Sequence, residues 1–540
     1  MRLVYKFCCT ILIITYLIWV VSTAFSDQRH IHFADDMGVS VAVAQAAIDG
    51  EIPLIGQPSH FGGRHLGPAY YWTLTALLFL TQGNIPALVI VLGVLKALCF
   101  IFLILLAASI DPQKYRAGSI LLTLSILGFA SGILVYIQTP WVNHFLVVPM
   151  AALVASFWLC LRYGWQWLGA FLFFASICLQ TFFGTGPYLL ILSMGLVTFW
   201  VVARPRYQVQ RKSLFLAGLI AAVLIWIPPV LYELQHESNL AKLFLRHGSK
   251  AFQAHLSETS TAFLVFLIRH SVGEPGVQLF GSHYFWGIIF FVITSGLMVV
   301  TLRQLDMYGR GFLLTLGAGA LTTALAISTI DGPSLGFYFN MLIPSVVLAS
   351  YFCCSGLLKL LKTYRHYWIL PGVAAVLVLW IVVANGREIP THLAWNYEQR
   401  SLMHAQELSN LLHQYDQGKA RVNVYLRGQH YKRRSALWVF YRPRARFQMA
   451  YAPFFKELRS FRDIPGDKEL SNRERTKKAE LAFYEFCGAK IQNQGLPLPE
   501  RMAARWLVQS KLTQEPCSTC DSCYLYSLQP VGSSVEPEYP

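Results

Sequence analysis

A series of long, uncharged apolar runs constrains this chain more than any other feature. Eleven are found, at 7–25, 85–109, 117–137, 145–161, 167–182, 187–203, 213–231, 283–302, 311–329, 335–357 and 368–385. Most are long enough to cross about 30 Å of hydrocarbon as a helix. A twelfth segment, Tyr70–Thr81, holds only a dozen mostly apolar residues, which suits an interfacial or re-entrant helix. Only 13% of the 540 residues are charged, against about 25% in a soluble chain. A soluble multidomain enzyme, a disordered regulator and a small disulfide scaffold are excluded. The expected fold class is an all-α polytopic membrane domain of about 11 transmembrane helices.

The basic residues set the orientation, because Lys and Arg in short loops stay cytoplasmic. With 70–81 not spanning, the loops on the N-terminal side hold fourteen Lys/Arg and only two acids, Asp111 and Asp306. Counting 70–81 as a span would place Lys114 and Arg116 outside and break that segregation. The N-terminus is therefore expected inside and the C-terminus outside. A cleaved signal peptide ending near Ser22-Thr23-Ala24 is the other reading of the first run, and it too leaves residues from Ser26 on outside. The membrane domain covers 1–385, with large outer loops at 26–84 and 232–282, and the polar tail forms a domain at 386–540. The tail carries 23 Lys/Arg against 16 Asp/Glu. Its segment Arg421–Leu426 alternates like a strand, whereas Ala479–Phe486 and Arg501–Gln509 read as helices, so a small extracytoplasmic α+β domain is expected. Facing outward, its basic clusters do not point to nucleic acid; they suit anionic headgroups or an acidic glycan as well as a solvated face.

Seven of the 11 cysteines lie in or beside spans, where Cys acts as a small buried hydrophobe. The other four, Cys487, Cys517, Cys520 and Cys523, lie in the tail. Their spacing also suits a zinc or iron–sulfur centre, but an oxidising outer compartment favours two disulfides, with three pairings open.

Chemistry is most readable in the first outer loop. Asp35-Asp36 follows the first span by about ten residues, then comes an Ala-rich amphipathic stretch, Val39–Asp49. A Gly- and Pro-rich loop follows, containing Gly62-Gly63-Arg64-His65 and Gly67-Pro68, and it lands on Tyr70-Tyr71-Trp72. A carboxylate beside a desolvated site can serve as a general base, and a neighbouring carboxylate raises its pKa or helps hold a divalent cation. Helix capping by Asp35, with Asp36 in the first turn, is the structural reading of the same pair. His30, His32, His60 and His65 are spaced too irregularly for a metal cluster.

This ordered set resembles the GT-C membrane glycosyltransferases, specifically the dolichyl-phosphate-mannose protein mannosyltransferases and lipid A aminoarabinose transferases. The likeness continues in Trp141-x-Asn143, Leu179-Gln180, Pro228-x-x-Leu231-Tyr232-Glu233-Leu234 and Phe337-Tyr338-Phe339 with Pro344. The chain departs from the family at Asp36, where Glu is common, and at Phe337, where His is common. The resemblance implies a GT-C type fold and transfer of a sugar from a polyprenyl-phosphate donor to a glycan, lipid or protein hydroxyl, with inversion. It implies Asp35 as catalytic base and Asp36 as the group orienting the acceptor or a divalent cation. The leaving lipid phosphate needs positive charge, for which Arg64 and His65 are the first candidates and Arg246 and Lys250 the second, with Tyr70 and Tyr71 beside them. The likeness to bacterial members implies a bacterial inner membrane with a periplasmic tail. Two other classes fit less well. A polymerase or ligase of lipid-linked glycans gives Asp35-Asp36 no role, and a transporter would need more ionisable residues inside its spans than Lys96.

Overall fold

The computed structural model describes residues 2–26, 31, 36–57, 64–111, 116–203, 212–235, 238–241, 256–273, 277, 284–328 and 336–363, scattered positions between 376 and 387, and four tail segments, 422–428, 481–487, 506–517 and 520–530. The chain divides into two compact units. One comprises 1–26 with 53–393, the other 27–52 with 394–540.

The first unit is helical. Its elements are α1 (Arg2–Ala24), α3 (Ala69–Leu80), α4 (Ile85–Ile110), α5 (Arg116–Phe129), α6 (Ser131–Gln138), α7 (Val142–Phe145), α8 (Val147–Tyr163), α9 (Leu168–Thr181), α10 (Gly186–Ala203), α11 (Lys212–Leu224), α12 (Ile227–Gln235), α13 (Leu256–Ser271), α14 (Tyr284–Leu302), α15 (Met307–Ile327) and α16 (Ile343–Thr363); α2 (Asp36–Ile48) belongs to the other unit. Among the described residues six helices are long and apolar enough to cross a membrane, or seven if α5 and α6 form one broken span. The expected span 117–137 is that broken pair, whose halves meet at 72°. Small residues allow the bend and its packing: a β-carbon on Gly132 would press on Arg269 and His270, and one on Gly128 on Tyr16. The expected run 70–81 is the 12-residue α3. Most of 368–385 lies outside the described residues. The helices expose large apolar side chains such as Leu105, Val202, Leu314 and Leu325, as segments solvated by hydrocarbon do. The buried face gathers Tyr136, Phe157, Phe312, Phe339 and Phe352.

Local chemistry places the ends of these helices. Asn84 caps α4 by accepting from the Ala87 amide at 3.0 Å. Further along α4, Lys96 is fully buried and donates to the carbonyls of Tyr136, at 2.6 Å, and Thr139, at 2.8 Å. In a continuing helix the Tyr136 carbonyl would accept from residue 140, but Pro140 has no N–H. The Lys96 Nζ takes that place, so α6 stops within the bundle with the Tyr136 carbonyl still paired.

A second polar knot joins α4 to α16. Asp111 accepts from Ser355 Oγ at 2.6 Å and pairs with Lys359 at 3.4 Å, their side chains 1% and 7% exposed respectively. Arg116 Nε donates to the Asp111 carbonyl at 2.7 Å, which brings in α5. Removing one member of such a pair strands the other charge.

In the tail, β1 (Val422–Gly428), β2 (Leu481–Cys487), β3 (Trp506–Cys517) and β4 (Cys520–Pro530) form one sheet in the order β1-β2-β4-β3. β1 runs parallel to β2, while β4 is antiparallel to both β2 and β3. This corrects the expected helices at 479–486 and 501–509, because 481–487 and 506–517 are strands. Short apolar runs do not distinguish the two periods, and the aromatic content of Phe483, Tyr484 and Phe486 suits a pleated surface. The strand expected near 421–426 is β1. Cys487 stands opposite Cys523, and Cys517 opposite Cys520.

Asp111→Ala should lower stability by about 3 kcal/mol, read as a fall in Tm of the full-length protein in detergent. The double change Asp111→Ala with Lys359→Met should recover most of the loss. A fall no larger than that of a surface substitution would show that the pair carries no such weight.

Candidate active site

The Gly-rich loop of the first unit is held at both ends. The Gly56 amide donates to the His65 carbonyl at 3.1 Å, and the His65 amide to the Gln57 carbonyl at 2.9 Å, so the chain on either side of 58–63 closes into a two-bond ladder. A β-carbon at Gly56 would lie 2.8 Å from the Gly67 carbonyl oxygen and 2.9 Å from His65 Cβ, so only glycine lets the segments approach. The Gly67 amide donates to the Gln180 carbonyl at 3.3 Å. The Gln180 side chain lies against Gly67 and donates to the Ile225 carbonyl at 2.7 Å. The loop is thereby tied to the ends of α9 and α11.

His65 is buried, with its ring 5.5 Å from that of Phe182, which in turn lies 6.4 Å from Tyr338. Arg64, the preceding residue, is half-buried. Its amide donates to Asn239 Oδ1 at 2.6 Å, and its carbonyl accepts from Asn239 Nδ2 at 2.9 Å. Tyr70 and Tyr71 are buried. The Tyr70 hydroxyl donates to the Pro140 carbonyl at 2.8 Å, and its ring lies 5.2 Å from Phe145. Trp72 Nε1 donates to the Pro53 carbonyl at 3.2 Å, closing the loop onto the start of α3. The break between α6 and α7 is bound from the other direction by Tyr136, whose hydroxyl lies 2.8 Å from the Asn143 carbonyl and 3.2 Å from that of Asn340. His144 stacks on Tyr136 at 4.1 Å, and the edge of His270 approaches the same ring.

No family model matches the sequence, and no curated protein does. Solved structures do match. ArnT from Cupriavidus metallidurans bound to undecaprenyl phosphate aligns with a TM-score of 0.56 at 12% identity, over 97% of this chain and 99% of that one. Its apo form aligns with a TM-score of 0.56 at 13% identity, over 97% and 98%. The chain has the GT-C fold.

Within the GT-C fold the residues expected from sequence fall into two groups. Arg64, His65, Tyr70 and Tyr71 lie in the first unit, around one tethered loop. Asp36 opens α2 in the other unit, which matches the helix expected from 39 to 49. Asp35, Arg246 and Lys250 lie outside the described residues, as do His30, His32 and His60. Among the described residues no three His, Cys, Asp or Glu side chains gather as a metal set. Asn239 was not anticipated. Its signal was present, since Ser238-Asn239 opens a helical turn in which the Ala241 amide donates to Ser238 Oγ at 3.1 Å, but nothing local pairs that turn with Arg64.

His270 stands next to this region on α13. Burial pushes its pKa down to about 4, the Arg269 charge pushes the same way, and the Phe266 carbonyl at Nδ1 opposes them. The folded protein thus holds His270 neutral where the unfolded chain, with an ordinary value of 6.5, already binds a proton. Its contribution to stability is complete above pH 6.5 and is lost as pH falls from there toward 4. The Tm of the wild type should fall more steeply between pH 7 and pH 4.5 than that of His270→Leu, and parallel curves would remove this group from the account.

Proposed function

We propose that the protein is an integral-membrane glycosyltransferase that moves a sugar from a polyprenyl-phosphate donor to an acceptor hydroxyl at the periplasmic face of a bacterial inner membrane. The observation that carries this reading is that the GT-C likeness runs over almost the whole chain, the ArnT structures included. The acidic pair in the first outer loop and the tethered Gly-rich loop after it add support.

In this mechanism the Asp35 carboxylate accepts the proton of the acceptor hydroxyl as that oxygen attacks the anomeric carbon. The bond from that carbon to the phosphate oxygen breaks on the opposite side, so the configuration inverts and polyprenyl phosphate leaves with the electron pair. Asp36 orients the acceptor, or a divalent cation if one takes part. Negative charge gathering on the leaving phosphate is met by a fixed cation. Arg64 is suited to this by its half-exposed position, while buried His65 anchors the loop against Phe182; Arg246 and Lys250 supply further positive charge. Chain direction follows the segregation of basic loops, with the N-terminus cytoplasmic and the tail periplasmic. The acceptor is a glycan, a lipid or a protein.

The deciding experiment is transfer of labelled sugar from a mixed polyprenyl-phosphate-sugar pool by membranes containing the wild type or Asp35→Asn. Transfer by the wild type, reduced by at least about a hundredfold in the variant at equal protein level, is expected for loss of a general base. Equal transfer by both would remove Asp35 from the mechanism, and no transfer by the wild type would count against the donor class.

The tail cysteines belong to the same reading, since a periplasmic domain is oxidised. The backbone register supports the pairing Cys487–Cys523 and Cys517–Cys520 over the two alternatives. Peptide mapping of unreduced protein by mass spectrometry should recover those two cross-links, and either other pairing, or four free thiols, would contradict it.

A further inference from the structure

The segment at 64–65 is gripped along both edges. On one side His65 exchanges both main-chain hydrogen bonds with Gly56 and Gln57; on the other, Arg64 exchanges both of its own with the Asn239 side chain. Successive residues of an extended segment offer their N–H and C=O groups to opposite edges and their side chains to opposite faces. The Asn239 amide thus supplies what a neighbouring strand would. It settles which residue faces inward and which outward: His65 is buried against Phe182, and Arg64 is left half-exposed. A slip of one residue would exchange them.

Asn239 is itself held. It is 4% exposed. Its amide donates to Glu233 Oε2 at 2.9 Å, and the next amide, of Leu240, to Glu233 Oε1 at 3.1 Å. One carboxylate at the end of α12 therefore satisfies two amides at the start of the following helical turn, where negative charge is favoured. This continues into the Arg64 backbone across 175 positions of sequence.

We infer that Asn239, fixed by Glu233, is a positioning residue that sets the Arg64 guanidinium for recognition of the donor's lipid-linked phosphate. The inference rests on the assignment of Arg64 to that phosphate in the proposed function. Neither Asn239 nor Glu233 touches the phosphate; they act through the main chain of residue 64. The loss of Asn239 therefore costs phosphate affinity only while Arg64 is present.

The test is binding of undecaprenyl phosphate, and of undecaprenol as the phosphate-free control, to full-length protein in detergent. It compares the wild type, Arg64→Ala, Asn239→Ala, the double variant and Glu233→Gln. Arg64→Ala and Asn239→Ala are each expected to weaken undecaprenyl phosphate binding by about tenfold, the scale of one hydrogen bond to a charged group. The double variant should be no weaker than Arg64→Ala alone. Glu233→Gln should show a smaller loss in the same direction, and undecaprenol binding should not change. Should Arg64→Ala bind undecaprenyl phosphate as the wild type does, or the wild type not bind it, the assignment of Arg64 fails and takes the inference with it. A loss in Arg64→Ala with none in Asn239→Ala overturns the inference alone. So do additive losses in the double variant, or an equal loss of undecaprenol binding in Asn239→Ala, which would make Asn239 a general support of the fold.

Discussion

The architecture of the first unit depends on how an interrupted helix is satisfied where water is scarce. A carbonyl that loses its helical partner in apolar surroundings costs several kcal/mol. Pro140 takes such a partner from Tyr136, and Lys96 Nζ replaces it while also serving Thr139. With that end stabilised the chain can turn at 139–141, and the turn becomes a place to attach things. Tyr70 binds the Pro140 carbonyl, and Tyr136 reaches the carbonyls of Asn143 and Asn340. Helix α3, the interrupted helix and the turn at 336–342 thus share one set of polar contacts.

The same economy governs the Gly-rich loop. Its ends are not part of a sheet, yet their amides and carbonyls are buried, and they are paired by Gly56, Gln57, Gln180 and Asn239. These partners come from separate regions of the sequence, so the loop is held from several sides. In the proposed function, fixing the main chain of Arg64 in this way lowers the reorganisation needed when charge develops on the leaving phosphate. At the opposite end of α4, Asp111 with Ser355 and Lys359 joins three helices by a buried polar knot that touches none of the proposed chemistry.

Hydropathy made the long apolar helices of the first unit legible, because hydrocarbon selects such segments almost irrespective of what they pack against, but it left α13 inside the expected outer loop 232–282. Ile85–Ile110 coincides with its expected run nearly to the residue. The run at 117–137 shows the limit: its composition is continuously apolar, but the close packing of Gly132 on Arg269 and His270 accompanies a bend that hydropathy does not record. In the tail the helical expectations for 479–486 and 501–509 failed because a short apolar run has no period of its own, and pairing with β4 makes both segments strands.

What the sequence determined by itself is the solvent of this chain and the order of its chemical groups: apolar runs of membrane length, an acidic pair after the first of them, and a Gly-rich loop ending on aromatics. Those are local facts, written in consecutive residues. Only the tertiary structure decided which distant side chain satisfies each buried backbone group. Lys96 for Tyr136, Gln180 for Gly67 and Asn239 for Arg64 are pairings across 40, 113 and 175 positions. A hydrogen bond at such separation depends on how helices pack, and no local pattern of residues encodes its partner.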